Sequence, residues 1–291
     1  MATNASYQEL QASIKREKED RIRQHQANIA TRSRMTATLA AGAKSALNLI
    51  GQGDSWFDYP LPFPDHTDVL AHLRRLPSMR PEVLSLAHHG EAAEDMLGVK
   101  KLHELLDQLK NPANGKFDAI LFSGGGNDLA GDQFRLWLMD AAANGMDPTK
   151  GLNPARVKSI LGVVAAGYED LFAARDGVDK TIPIFGHSYD FGIPNGNPAP
   201  CAGPWLKPGL DDRGWTNPSA ARAIVKQLLE TFASMLDAFA AQAGNNFVHV
   251  KTQGTLADEQ WANELHPKPD GFAAITAKFV DALRVRFPGR I

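Results

Sequence analysis

Short apolar runs alternate with longer helical patterns along most of this chain, and this alternation constrains the fold more than any other feature. Each run is apolar and followed by polar or glycine-rich residues, as in parallel strands that are buried on both faces. Strands that alternate with helices form β-α units around a parallel sheet. The sequence therefore predicts five strands, over residues 46–50, 83–87, 119–123, 182–187 and 247–251.

Two helices after the third predicted strand carry clear signals. One begins with Asn217 as a cap and Pro218 in the first turn, and its pattern stops at Gly244. The last helix, over about 270–287, has apolar residues at spacings of three and four, which predicts a face that covers the sheet. These residues are Phe272, Ile275, Phe279 and Leu283. Residues 129–215 are less regular and contain proline- and glycine-rich loops, which are typical of the open edge of a site.

Residues 7–30 are rich in Glu, Lys, Arg and Gln and contain neither Gly nor Pro, so they predict an exposed helical arm. The mixed charges of residues 15–21 favour a solvated face over the alternative, a contact between subunits of a homo-oligomer. We expect residues 1–44 to form this arm and residues 45–291 to form one α/β domain.

The composition narrows the classes of partner and cofactor. A net charge of -2 gives no electrostatic reason to expect nucleic acid or an anionic membrane, so a small molecule is the expected ligand. Cys201 is the single cysteine, which excludes an internal disulfide, a Cys-based zinc site and a redox pair. We predict no metal and no cofactor. No apolar window is long enough to span a membrane, and the polar N-terminus favours a soluble, cytoplasmic protein, with secretion left open.

A serine follows the first predicted strand, in the segment Gly53-Asp54-Ser55. Ligands of open α/β sheets bind at the carboxyl ends of the strands, and a small residue before the serine allows a sharp turn that presents its hydroxyl. The alternative is that this serine only caps a helix.

A second motif, Gly124-Gly125-Gly126-Asn127-Asp128, follows the third predicted strand. Its glycines allow the backbone to approach a ligand closely, and the Asn127 amide can donate to a developing oxyanion. The alternative of a phosphate-binding loop lacks the Lys-Ser/Thr ending of such loops. Near the last helix, His266 is held outside that helix by Pro267.

These segments, in this order and each at a strand-to-helix junction, resemble the blocks of the SGNH hydrolases, also called GDSL-type esterases and lipases. The resemblance spans residues 46–291. It implies a three-layer α/β/α, flavodoxin-like fold with a central parallel five-stranded sheet. It also implies Ser55 as nucleophile, His266 as its general base, and an oxyanion hole that includes Asn127 and the backbone amide of Gly90, which follows the second predicted strand.

One residue departs from the family's pattern, because Asn263 stands where the family has the aspartate that orients the histidine. A neutral amide cannot stabilise an imidazolium as a carboxylate does. We expect an oxygen of Asn263 to orient His266, and Glu264, Glu259 and Asp258 remain alternatives.

Aromatic residues near these motifs are candidates for an apolar substrate pocket. Trp56 and Phe57 follow the serine, Tyr189 follows the fourth predicted strand, and Trp205 ends the proline-rich loop. The function expected from the resemblance is hydrolysis of a small carboxylic ester through an acyl-enzyme. The alternatives are acyl transfer to an alcohol, and a non-catalytic binding module that has lost the orienting acid.

Overall fold

A computed structural model of the protein describes residues 4–36, 44–60, 66–201 and 203–291. Within these residues, five strands form one sheet in which every neighbouring pair is parallel, in the order β2-β1-β3-β4-β5. This is the flavodoxin-like order, so the predicted fold class is confirmed. The strands are β1 Asn48–Gly53, β2 Glu82–Ser85, β3 Ala119–Ser123, β4 Ile184–His187 and β5 Phe247–Val250.

The predicted strands are all present, and their ends differ from the prediction by up to three residues. β3 has the predicted bounds, whereas β1 runs on to Gly53 because Gly51, Gln52 and Gly53 pair with β3 up to Ser123. The ladder between β1 and β3 therefore extends to the residue before Asp54. Beyond this ladder, Asp54 N–H donates to Ser123 O at 3.1 Å and His88 N–H donates to Gly53 O at 3.0 Å, so hydrogen bonds on both sides fix the end of β1.

Helices lie on both faces of the sheet. α2 packs against α10 on one face, and α4 and α9 pack against α7 on the other. In the described part of the chain the helices are α1 Asn4–Thr36, α2 Val69–Leu73, α3 Ala93–Met96, α4 Val99–Lys110, α5 Gly126–Leu129, α6 Phe134–Trp137, α7 Pro154–Asp179, α8 Lys207–Asp212, α9 Pro218–Ala241 and α10 Pro269–Arg286.

Both helices with clear signals are confirmed. Asn217 caps α9 by accepting hydrogen bonds from the backbone N–H groups of Ser219 and Ala220, and the helix ends three residues before Gly244. α10 buries its predicted apolar face. The sequence reading missed α7 inside residues 129–215, although Asn153 and Pro154 repeat the same cap-and-proline signal at its start.

The strand order reverses between β1 and β3, which places a crevice at their carboxyl ends. Ser55 follows β1 and Asn127 follows β3, so two of the three motifs meet at this point. The third motif, which contains His266, lies between β5 and α10.

The predicted N-terminal helix is confirmed and longer than expected, but the expectation of an exposed arm is wrong for its central part. α1 packs along β2, the edge strand of the sheet. Lys18 and His25 are buried, Lys18 pairs with Glu104 at 3.2 Å, and the His25 ring stacks on Phe117 with centroids 5.6 Å apart. An edge strand needs such cover because its outer hydrogen-bonding groups have no strand partner. The domain boundary at residue 44 stays a prediction.

No helix in the described ranges is long and apolar enough to cross a membrane.

Candidate active site

Ser55 lies in a tight turn directly after β1, with its hydroxyl 2.7 Å from His266 Nε2. The turn is closed by Asp54 O, which accepts the backbone N–H groups of Phe57 and Asp58. Gly53 allows the chain to enter this turn, since a Cβ there would lie 2.8 Å from the Ser123 Cβ. The serine and the histidine that the sequence predicted as a pair are therefore in hydrogen-bond contact.

Asp54 is buried beneath the serine and supports the Ser55 turn through its hydrogen bonds. Its carboxylate accepts hydrogen bonds from Ser123 Oγ at 2.8 Å, from the Trp56 backbone N–H at 3.0 Å and from the Tyr189 hydroxyl at 2.6 Å. Burial raises the pKa of Asp54 to about 6, although these three donors act in the opposite direction. Asp54 thus ties the Ser55 turn to β3 and to the segment that follows β4.

Asn263 Oδ1 lies 3.1 Å from His266 Nδ1 and also accepts the backbone N–H groups of Leu265 at 3.0 Å and His266 at 2.9 Å. Two N–H donors identify this atom as the amide oxygen, because an NH₂ group could not accept them. An amide carbonyl oxygen can only accept, so His266 Nδ1 must carry the ring proton. His266 Nε2 is then the acceptor that faces Ser55.

The other carboxylates considered for the histidine are engaged elsewhere. Glu264 is fully buried and accepts backbone N–H groups from Gly196, Trp205, Leu206 and Lys207, at 2.6 to 3.0 Å. It anchors the proline-rich loop, a role that the sequence reading did not anticipate. Asp258 is exposed and pairs with Arg222, and Glu259 is exposed as well. The contacts around His266 therefore favour Asn263 among the four candidates.

The imidazole of His266 is enclosed by aromatic rings. The Tyr59 ring lies 5.2 Å from it and the Trp205 ring 5.3 Å, measured between centroids. Burial, with a smaller contribution from the charge of His89, lowers the pKa of His266 to about 3. His266 is therefore neutral, and able to accept a proton, over a wide range of pH.

Asn127 and the loop after β2 meet beside this pair. Asn127 Nδ2 donates to the Glu91 carbonyl oxygen at 2.8 Å, and an amide NH₂ has a second proton for a ligand. Gly90 comes directly before Glu91 and has a φ of 78°, which favours glycine. The two predicted oxyanion donors thus belong to segments that are joined by a hydrogen bond.

A cavity of about 50 Å³ opens at Ser55, and Asn127 and His266 are part of its wall. Trp56 and Tyr189 also line it, as expected of pocket residues. Asp54 and Asp190 contribute to the wall as well, but most of the rest is apolar and comes mainly from the segments after β3 and from α9. It includes Leu129, Phe134, Leu206, Val225, Leu228 and Leu229. Gly90 is not among the lining residues.

Two of the aromatic candidates lie elsewhere. Trp205 is half-buried beside His266 and does not line the cavity. The prediction for Phe57 is wrong, because its side chain is 1% exposed and packs in the core against His187 and Phe279. The turn at Ser55 points Trp56 towards the cavity and Phe57 towards the interior, a difference that adjacency in sequence did not reveal.

A second buried serine-histidine contact lies below the site, where Ser123 Oγ is 2.8 Å from His187 Nε2. Ser123 donates to Asp54, so His187 Nε2 must donate to Ser123. Both side chains are 0% exposed, and burial lowers the pKa of His187 to about 3. This pair therefore supports Asp54 and is closed to a substrate.

One group of side chains in the described residues has the donor types of a metal site. The donor atoms of Asp58, His88 and His89 lie within 4.8 Å of one another. Arg21 already pairs with the Asp58 carboxylate at 2.7 Å, so the charge of this group is balanced by a guanidinium. Asp68, which caps the start of α2 by accepting the Ala71 N–H, is not part of this group. The absence of a metal stays a prediction.

Comparison with protein-family models gives no match, and comparison with curated protein sequences gives none. Comparison with solved structures gives similar folds. The similar structures include esterases and lipases. A catalytic mutant of the acetylxylan esterase Axe2 from Geobacillus stearothermophilus is 14% identical, with 82% of this chain and 94% of that chain covered and a TM-score of 0.45.

Two further similar structures are named as GDSL proteins. A GDSL-like lipase from Bacteroides ovatus is 15% identical over 83% of this chain and 54% of that chain, with a TM-score of 0.49. A member of the lipolytic G-D-S-L family from Veillonella parvula is 15% identical over 84% of this chain and 100% of that chain, with a TM-score of 0.44.

Proposed function

We propose that this protein is a serine ester hydrolase of the SGNH type, with Ser55 as nucleophile and His266 as general base. The observation that carries the proposal is the hydrogen-bond chain from Asn263 Oδ1 through His266 to Ser55, at 3.1 Å and 2.7 Å. A serine hydroxyl is a weak nucleophile until an adjacent base takes its proton, and a third group must orient that base. Asn127 beside this chain adds an oxyanion donor.

In the acylation step, Ser55 Oγ attacks the ester carbonyl carbon while its proton moves to His266 Nε2. The carbonyl oxygen becomes an oxyanion that Asn127 and the Gly90 amide stabilise. The intermediate collapses with cleavage of the bond to the alcohol oxygen, and His266 returns the proton to that oxygen. The alcohol leaves, and the acyl group stays on Ser55.

In the second step, water attacks the acyl carbon and gives its proton to His266 Nε2. Collapse of this intermediate breaks the bond to Ser55 Oγ, which recovers the proton from His266. A carboxylic acid is released. His266 thus acts as base and acid once in each step, which requires the neutral state at rest that its low pKa favours.

The cavity beside Ser55 supports a short acyl group as the part of the substrate that it binds. Its volume of about 50 Å³ has room for about three or four water-sized groups. We expect hydrolysis of p-nitrophenyl acetate and butyrate to be faster than that of hexanoate and longer esters. Comparable activity on all lengths, or activity lost in neither Ser55→Ala nor His266→Ala, would oppose this function.

Leu229→Ala should enlarge the acyl cavity. Leu229 is half-buried on α9, and removal of its side chain extends a wall of the cavity. A methylene that enters an apolar pocket changes discrimination by about 1–3 kcal/mol. We expect the ratio of kcat/KM for hexanoate over acetate to rise about tenfold. Met235→Ala is the matched control, since Met235 is half-buried on the same helix and does not line the cavity. An unchanged ratio in Leu229→Ala would exclude α9 from the acyl site.

Asn127→Ala should lower kcat by about a hundredfold, because removal of one oxyanion donor typically costs about 10²–10³ in turnover. The KM for a p-nitrophenyl ester should change little, since the interaction strengthens in the transition state. Steady-state kinetics on p-nitrophenyl acetate provide the measurement. Asn195→Ala, in an exposed loop, is the control. A loss of less than about twofold in Asn127→Ala would remove this residue from the mechanism.

A further inference from the structure

Arg21 of the N-terminal helix reaches the loop that follows β2. Its guanidinium donates to the Ala87 carbonyl oxygen at 3.0 Å and to Asp58 Oδ1 at 2.7 Å, and it also pairs with Glu17 on its own helix. Asp58 lies in the turn that presents Ser55, three residues after the nucleophile. One side chain of α1 therefore joins the nucleophile turn to the loop that carries Gly90.

The Ala87 carbonyl has no partner within the sheet. Leu86 N and His88 N donate to Gly51 O and Gly53 O of β1, at 2.8 Å and 3.0 Å. Successive residues of an extended chain point their polar groups to opposite sides, so Ala87 O faces away from β1. β2 is the edge strand, and Arg21 fills the place that another strand would occupy.

The other end of this loop is held by Asn127, the side-chain donor of the proposed oxyanion hole. Glu91 O accepts the hydrogen bond from Asn127 Nδ2 at 2.8 Å, and the Glu91 carboxylate pairs with Lys101. Residues 87–91 thus run between an anchor on α1 and an anchor on α5. Gly90 lies inside this span with a φ of 78°, and its Cβ position meets no atom within 4 Å. Nothing packs around the Cβ position of Gly90, so contacts of the residues on either side must fix the direction of its N–H. These contacts include His88 N–H to Gly53 O at 3.0 Å as well as the two anchors.

The charges around Asp58 favour an ionised carboxylate, which keeps the ion pair with Arg21 at neutral pH. Burial would raise the pKa of Asp58, but the imidazoles of His88 and His89 and the Arg21 guanidinium outweigh burial and hold this pKa well below its usual range. Asp58 is therefore ionised at neutral pH. His88 and His89 Nδ1 lie 3.7 Å and 3.6 Å from Asp58 Oδ2, on the side away from Arg21. Arg21 can hold Asp58 Oδ1 without displacing them.

We propose that Arg21 is a positioning residue of the active site, and that α1 serves the reaction by fixing the Gly90 loop against the nucleophile turn. This inference rests on the proposed ester hydrolysis. Arg21 touches no reacting atom, so it acts through the direction of the Gly90 amide. Misplacement of an oxyanion donor weakens an interaction that is made in the transition state, and the loss therefore falls on kcat.

Arg21→Ala should lower kcat for p-nitrophenyl acetate by about tenfold or more, with KM changed by less than about threefold. Arg21→Lys should lie between this variant and the wild type, because an ammonium cannot bridge both acceptors in the fixed geometry of a guanidinium. Methylguanidinium should restore part of the activity of Arg21→Ala and none of that lost in His266→Ala. Arg23→Ala is the matched control, since Arg23 is exposed on the same helix and pairs with Asp20.

Hydrogen–deuterium exchange of residues 86–92 provides a readout that does not depend on activity. Exchange there should be faster in Arg21→Ala than in the wild type and in Arg23→Ala. An active wild type with unchanged kcat or unchanged exchange in Arg21→Ala would overturn this inference alone. If Arg21→Ala does not fold, wild-type kcat in Arg21→Lys would overturn it. A folded wild type that hydrolyses no ester would overturn the proposed function, and this inference with it.

Discussion

Ser55→Ala should reduce the kcat for p-nitrophenyl acetate by a factor of at least about 10⁴. The variant keeps the turn after β1 but lacks the oxygen that forms the acyl-enzyme in the proposed mechanism. The Ser55 hydroxyl lies 2.7 Å from its acceptor His266 Nε2, so the substitution removes the nucleophile of the proposed mechanism. Any residual rate would come from the oxyanion donors acting on water.

Ser188→Ala is the matched control for this loss. Ser188 is a buried serine that follows β4 at the same edge of the sheet, and its hydroxyl has no hydrogen-bond partner among the described residues. We expect the kcat of Ser188→Ala to stay within about twofold of the wild-type value. If Ser55→Ala keeps more than about a tenth of the activity, another group is the nucleophile and the mechanism is wrong.

Asn263→Asp should raise the kcat at pH 7 by about tenfold and shift the acidic limb of the pH–rate profile to higher pH. A carboxylate beside an imidazole raises the pKa of the imidazole by about one to three units. The wild-type pKa of His266 is about 3, so the acidic limb of kcat/KM should lie far below the usual value of histidine. The rate rises because a carboxylate stabilises the imidazolium that forms as Ser55 attacks.

The site can accept this carboxylate without rearrangement. One oxygen would keep the hydrogen bonds from Leu265 N, His266 N and His266 Nδ1. The other would face Cys201 Sγ, which lies 3.1 Å from Asn263 Nδ2 and can rotate its S–H to donate. Asn195→Asp, in an exposed loop near the site, controls for added charge. An acidic limb that stays in place in Asn263→Asp would show that residue 263 does not act on the imidazole.

In the proposed mechanism, the wild-type amide of Asn263 contributes by fixing the tautomer of His266. In serine proteases an Asp-to-Asn change costs about 10⁴-fold because the imidazole adopts the wrong tautomer. Here the backbone N–H groups of Leu265 and His266 hold the oxygen of Asn263 towards the ring, so the proton stays on Nδ1. Under this proposal, Asn263 supplies the orienting part of the acid's role without its charge.

The parts of the fold that depend on local pattern could be predicted from the sequence. β3 is a buried apolar run between polar residues, and α9 has both a cap and a proline, so their positions follow from the residues themselves. The end of β1 could not be derived in this way. Gly51, Gln52 and Gly53 have weak strand propensity, and they are extended because β3 offers partners up to Ser123.

The surroundings of α1 were also beyond the sequence reading. A charged helix looks solvated when its partners are unknown. The proposal for Arg21 depends on its contacts with Asp58 and Ala87, which are 37 and 66 residues away in sequence. Glu264 is a second example, because its carboxylate accepts hydrogen bonds from backbone N–H groups of a loop about 60 residues earlier. Long-range polar contacts depend on the folded chain, and no local pattern encodes them.

Labelling of the folded wild-type protein with a fluorophosphonate, followed by peptide mass mapping, tests the central claim most directly. The reagent bonds to a serine only where an adjacent base activates it. We predict a single adduct on Ser55, absent in Ser55→Ala and at least about a hundredfold slower to form in His266→Ala. No adduct on a folded protein would favour a binding module without catalysis, and an adduct on a different residue would contradict the assignment of Ser55.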